Sequence, residues 1–183
     1  MYASSILAGG SIIIYTQDMK KAFIVIDLEK GFLTKYTKDL PLKIRDFIEA
    51  RGNEYHLILF TQYKNHRKSN FVKHLDYEGF IHKDEYGIVD ELKDLIHKNN
   101  LFTKDTYGSF VTKKLPDVLK KNRIGEVHIA GIDTENCVLT FARDAFDRGY
   151  KVVVFKNLCR SHSNPSLHKA ALQIIKDNIG ELR

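Results

Sequence analysis

The stretch Ala130-Gly131-Ile132-Asp133-Thr134-Glu135-Asn136-Cys137-Val138-Leu139-Thr140-Phe141 puts a cysteine just past a glycine-marked corner. The apolar run from Val127 to Ala130, the polar turn after it and the apolar-periodic residues beyond spell strand, tight corner, helix. With Asp133 or Thr134 as the helix cap, the sulfur of Cys137 falls in the first turn. Unpaired N–H groups and the positive end of the helix dipole favour an anion there, so the thiol is expected to ionise below its usual pKa. The same N–H groups are placed to hold the oxyanion formed when sulfur attacks a carbonyl. The plain alternative is an inert core thiol, a common fate of free cysteine. Only partners elsewhere in the chain can separate the two.

Two other strand ends supply candidates. Ala22-Phe23-Ile24-Val25-Ile26 is a continuous apolar run, as expected of a parallel strand buried on both faces, and it ends in Asp27. Leu101-Phe102-Thr103 is a shorter run that ends in Lys104. In open α/β sheets the ligand crevice lies beyond the carboxyl ends of the strands, which is where both side chains would fall. Taken singly, Asp27 could be a turn cap and Lys104 a surface charge.

The rest of the chain supplies the scaffold for these side chains. Asp39-Leu40-Pro41 opens an amphipathic helix to about Arg51, stopped by Gly52, and Tyr55 to Thr61 is a second strand. Residues 62–86 have no clear period, and so long an irregular stretch is expected to shape a pocket wall or a subunit contact. Its histidines match no ligand spacing and sit among Lys64, Lys68 and Lys73, so no metal site is expected there. A short helix is expected over residues 89–98, a helix to about Asn122 with Pro116 near its start, and one helix over residues 134–148 ended by Gly149. Lys151 to Phe155 is the fifth strand, and Ser163-Asn164-Pro165 starts a last helix over residues 166–179. Alternating strands and helices with apolar strands predict a parallel sheet covered on both faces by right-handed crossovers. One edge of that sheet would gather Asp27, Lys104 and Cys137.

A chain of 183 residues with 43% hydrophobic and 28% charged residues is globular rather than disordered or membrane-spanning, so no membrane partner is expected. Residues 1–18 differ from the rest of the chain and read as an extension to a domain over residues 19–183, an added edge strand or a partner-docking arm being the competing readings. The net charge of +6 is spread among Asp and Glu without a basic stripe of stacking aromatics, so no nucleic acid is expected either. Two cysteines make no disulfide framework, which points to a reducing, cytoplasmic setting, with Cys159 as a structural thiol. Cys137 and Arg143 match the C-x5-R spacing of cysteine phosphatases, but Val138-Leu139-Thr140-Phe141-Ala142 between them has no glycine and reads as a buried helix face, not a phosphate nest.

Three motifs in order, Ile26-Asp27-Leu28 with Gly31-Phe32, Lys104 with Tyr107-Gly108-Ser109-Phe110, and Gly131 to Val138, resemble the isochorismatase-like cysteine hydrolase superfamily, which includes nicotinamidases, N-carbamoylsarcosine amidohydrolases and ureidoacrylate hydrolases. The resemblance runs from about Met19 to Ile179 and implies a Rossmann-like three-layer αβα fold with a central, mostly parallel sheet of five to six strands. It places a catalytic triad on Asp27, Lys104 and Cys137, a cis peptide between Ile132 and Asp133, and an oxyanion hole on the N–H groups of Asp133 and Cys137. Substrate contacts are expected from Phe32, Glu29, Tyr107 and Phe110. No cofactor is implied, because metal-binding nicotinamidases carry an Asp-x-His pair where this chain has Tyr63-Lys64-Asn65. Glu29 stands where many relatives have glutamine, and positions two apart share a face, so it is expected to raise the pKa of Asp27 or attract a cationic substrate group.

The implied activity is hydrolysis of a small amide, carbamoyl or ureide C–N bond through a cysteine thioester, in a homodimer or homotetramer. A vinyl-ether hydrolase of the isochorismate type, run by Asp27 without a nucleophile, and an inactive ligand-binding relative are the alternatives.

Overall fold

In the computed structural model the described residues are 19–183, together with the backbone of two short strands, β1 (Ser4–Ala8) and β2 (Ser11–Tyr15), which pair with each other antiparallel. The remaining positions of the expected extension lie outside the described residues.

The body is one sheet of six parallel strands: β3 (Lys20–Ile26), β4 (Leu57–Tyr63), β5 (Leu101–Lys104), β6 (Ile124–Ile132), β7 (Lys151–Arg160) and β8 (Glu181–Leu182), in the spatial order β5-β4-β3-β6-β7-β8. Helices α1 (Leu40–Arg51), α2 (Asn70–Leu75), α3 (Lys83–Tyr86), α4 (Lys114–Lys121), α5 (Leu139–Asp147) and α6 (Pro165–Asn178) fill the connections. The expected three-layer fold is the one observed. Alternate residues of β3 face opposite layers, as the period of a strand dictates. Ala22, Ile24 and Ile26 pack with α4, α5 and α6, whereas Phe23 and Val25 pack with α1 and with Leu92 of a 3₁₀ turn over Asp90–Leu95. That turn replaces the short helix expected over residues 89–98.

Connections from β3 run outward through β4 to β5, then return to β6 on the other side of β3. The gap between the carboxyl ends of β3 and β6 is therefore the switch point of the sheet, where a crevice must open. Gly131 lets the two strands approach: its φ is +127°, and a Cβ there would lie 2.1 Å from the carbonyl oxygen of Ile26.

Three boundaries near that crevice differ from expectation. β4 continues two residues past Thr61, because Gln62 and Tyr63 pair with Thr103 and Lys104 of β5. β7 runs to Arg160 rather than Phe155, its far end pairing with Gly131 and Ile132. The helix expected over residues 134–148 opens as a wider π turn, Thr134–Val138, before α5 begins. Cys137 sits in that turn.

Candidate active site

Asp27, Lys104 and Cys137 meet at the switch point. Asp27, fully buried, turns the chain out of β3 with a φ of 50°, a left-handed conformation that Asp tolerates better than most residues. Thr61 at the end of β4 anchors it twice: its hydroxyl accepts from the Asp27 N–H at 3.2 Å and donates to Oδ1 at 2.6 Å. Lys104 comes from β5, two strands from β3, a span of about 9 to 10 Å. Only a long side chain can cross it, and the ammonium passes 5.5 Å from the centre of the Tyr63 ring on the way. Its three protons go to Asp27 Oδ2 at 2.6 Å, the Thr106 carbonyl at 2.9 Å and Cys137 Sγ at 3.4 Å.

The electrostatics overturn one expectation. The Cys137 thiol is pushed well above its usual pKa, first by burial and then by the neighbouring Asp27, and Lys104 only partly offsets them. A helix start favours a thiolate, but here Cys137 is 7% exposed and its sulfur shares its cation with a carboxylate. Burial alone would depress the Lys104 ammonium, yet the Asp27 carboxylate beside it raises it above its ordinary value.

Cys137 forms part of the floor of a cavity of about 280 Å³ walled by Phe32, Tyr63, Phe71, Leu75, Tyr77 and Tyr107, with Asp133, Asn136 and His162 as its other polar lining. Phe71, Leu75 and Tyr77 belong to the aperiodic stretch expected to shape a pocket wall. Of the expected substrate contacts, Phe32 and Tyr107 line the cavity, and Glu29 and Phe110 do not. Phe110 turns into the core, 4.9 Å from the ring of Phe141, with the Arg148 guanidinium over its outer face. Glu29 is buried beneath the floor, where Oε1 accepts the Tyr63 N–H at 3.0 Å and Oε2 has no partner among the described residues. Burial first, and then the charge of Asp27, drives its carboxyl well above the usual carboxylate range, so it is no attractor for a cation.

The position that would carry metal ligands in metal-binding nicotinamidases does not fit a metal. Burial keeps the Tyr63 phenol protonated, and the Lys64 ammonium lies over the Tyr86 ring. The Asn65 side chain is used up inside its own loop, on the Tyr77 and Gly79 carbonyls, the His66 N–H and the Ser69 hydroxyl. Among the described residues no group of three or more His, Cys, Asp or Glu side chains is placed to hold a metal ion, and no helix is long and apolar enough to cross a membrane.

The Ile132–Asp133 peptide is cis. The Asp133 carboxylate does not cap the following turn; it accepts from the His162 N–H at 2.7 Å and lies 2.6 Å from His162 Nδ1. Sequence reasoning missed Thr61, Tyr63, Asn136 and His162. The rule that singled out Asp27 and Lys104, a polar side chain at a strand's carboxyl end, finds Tyr63 and His162 once β4 and β7 are given their full lengths.

A buried thiol, carboxylate and ammonium thus lie together beside a cavity of about 280 Å³ at the switch point of a parallel α/β sheet. The chain belongs to the isochorismatase family: the isochorismatase domain model matches residues 21–183. It is 28% identical over 181 residues to an isochorismatase family protein, PncA, of Bacillus subtilis (strain 168), covering 88% of this chain and 97% of that protein. Among solved structures, nicotinamidase PncA from Bacillus subtilis superposes with a TM-score of 0.79 at 24% identity over 90% of this chain and 99% of that one. N-carbamoylsarcosine amidase from Thermoplasma acidophilum superposes at 0.76 with 19% identity, over 90% and 96%.

Proposed function

We propose that the chain hydrolyses the C–N bond of a small amide, carbamoyl or ureide substrate through a thioester on Cys137, with Asp27 and Lys104 completing the machinery. The observation that carries this is the single ammonium of Lys104 bridging the Asp27 carboxylate at 2.6 Å and the Cys137 sulfur at 3.4 Å. Amidases among the structural neighbours support the reaction class.

Because burial and the neighbouring Asp27 raise the thiol of Cys137, attack and proton transfer go together. Asp27 takes the thiol proton as sulfur bonds to the carbonyl carbon, and Lys104 steadies the charge as it moves. The N–H groups of Asp133 and Cys137 hold the oxyanion. Collapse breaks the C–N bond, and the proton on Asp27 leaves with the amine. Asp27 then takes a proton from water, the resulting hydroxide attacks the thioester, and the acid departs as the proton returns to sulfur. Phe32 and Tyr107 flank the acyl group.

Acid-quenched samples from a panel of small amides and ureides are expected to show, by intact mass, an increment on Cys137 equal to the acyl group less the thiol hydrogen it replaces. Full turnover by Cys137→Ala without any adduct would transfer the chemistry to Asp27 alone.

A further inference from the structure

The cavity wall holds one basic side chain that the proposed hydrolysis does not use. His162 lies just past the end of β7, its ring edge-on to Phe32 with centroids 5.3 Å apart, and both residues line the cavity above Cys137. Its geometry is tied down from two sides: Asp133 accepts its main-chain N–H and holds Nδ1, and its carbonyl accepts from the Thr34 hydroxyl at 2.8 Å. With Nδ1 taken by a carboxylate, the ring's other nitrogen carries a proton as well when the ring is charged. Nε2 makes no hydrogen bond to any described residue. About a third of the side chain is open to solvent.

The charged groups facing the ring are Asp133 and Glu135. Asp133 raises the imidazole above its ordinary pKa, and Glu135 adds to that to a smaller extent. Glu135 is itself pushed upward by burial and accepts from the Ser161 hydroxyl. The wall therefore presents one oriented imidazole, a cationic donor whenever the ring is protonated, among aromatic rings.

We infer that His162 is a specificity-determining binding residue: its Nε2–H takes the carboxylate of a flat, single-ring-sized substrate whose scissile amide lies over Cys137. A charge-assisted bond from a half-buried imidazolium is roughly twice as strong as a neutral one, which favours an anion over a neutral acceptor. The net charge of +6 draws such anions towards the protein. The aromatic walls and the small volume favour a planar body. The placement of the scissile bond rests on the proposed hydrolysis; the carboxylate contact does not, and binding tests it without turnover.

The test uses Cys137→Ala protein, which cannot form a thioester, and calorimetric titration with benzamide, 3- and 4-carbamoylbenzoate, and terephthalamide. At pH 6 one carbamoylbenzoate isomer is expected to bind at least tenfold tighter than benzamide and than neutral terephthalamide. That preference should shrink towards unity by pH 9 as the imidazolium is lost. Adding His162→Gln should abolish the preference at pH 6 while benzamide binds as before. Adding Asp133→Asn should move the loss of preference to lower pH, a displacement that a merely structural histidine would not produce. Equal affinity for the carboxylate and both neutral ligands at pH 6, a preference that survives His162→Gln, or no binding of any of the four would overturn the assignment. If His162→Gln does not fold, the pH dependence in the parent protein decides: a carboxylate preference unchanged between pH 6 and pH 9 refutes it. Turnover by the unsubstituted chain, measured separately, reports on the thioester, so the two readings fail independently.

Discussion

Two clusters of buried charge are built into this sheet, one at each end, from nearly the same kinds of residue. At the amino-terminal end, Glu126 and His128 of β6 meet Lys151 of β7 and the Tyr55 hydroxyl. Glu126 Oε1 lies 2.5 Å from His128 Nε2, Lys151 reaches Oε2 at 3.2 Å, and His128 Nδ1 is 2.8 Å from Tyr55 Oη. Both carboxylate oxygens and both ring nitrogens are used. At the carboxyl-terminal end, Asp27 and Lys104 are equally well paired, but around them Glu29 Oε2 and the Tyr63 hydroxyl have no partner among the described residues, and Cys137 opens on a cavity. Burial of charge does not mark a site. Chemistry becomes available where a paired charge adjoins a reactive atom and a space that can take a substrate.

If the two ends differ in this way, the largest effects separate activity at one from stability at the other. Cys137→Ala should lower kcat/KM for any amide substrate by about a thousandfold or more, as removal of a nucleophile does. Asp27→Asn combined with it should cost little more, because groups acting as a unit are not additive. Multiplying penalties in steady-state assays would mean that the two act separately.

The two thiols sharpen the contrast at the next scale. Cys159 is fully buried, its thiol pushed up to about 12 by that burial, whereas Cys137 borders the cavity. Iodoacetamide should alkylate Cys137 at least tenfold faster, with a rate that still climbs above pH 9 because its thiol too is raised. A plateau near neutral pH would reveal a resting thiolate and contradict a coupled proton transfer.

At the opposite end, Glu126→Ala leaves a buried imidazole and an ammonium short of a partner. Loss of a buried hydrogen-bonded charge costs about 1 to 3 kcal/mol, beyond that for a fully buried pair. At this size each kcal/mol is about 2 to 4 °C, so thermal melting should fall by about 2 to 12 °C. Turnover should stay within about twofold of the parent value, since no residue of that cluster lines the cavity. A large loss of kcat would show that the two ends are coupled.

The smallest effect concerns Glu29, whose folded-state pKa is raised by burial and by Asp27. Above the unfolded carboxylate pKa the unfolded chain has released a proton that the native chain still holds, so stability falls as pH rises from about 4.5 towards the folded value. Glu29→Gln removes that dependence. It should raise the melting temperature by a few degrees at pH 8, about 2 to 4 °C for each kcal/mol recovered, and leave it unchanged near pH 4. A Glu29→Gln protein destabilised at pH 8 would mean that the carboxylate is charged and paired in the fold.

The αβα architecture and the three residues at its switch point were legible in the chain alone. Apolar runs and the polar residues that end them are local features, and the handedness of crossovers gathers strand ends on one edge. Gly131, too, was legible as a corner, and its close approach to Ile26 gives the reason. Other features depend on neighbours distant in the chain, and folding alone settles them. β4 and β7 run on because β5 and β6 offer them partners, and that extension turns Tyr63 and His162 towards the cavity. Phe110 sits in the Gly108-Ser109 motif, yet it packs on Phe141 because α5 offers apolar surface there and the cavity is already walled by other rings. The upward shift of the Cys137 thiol was the least legible of all. A helix start argues for a thiolate, but the balance is set by how deeply the sulfur is buried and by Asp27 and Lys104, which reach it from strands far apart in sequence.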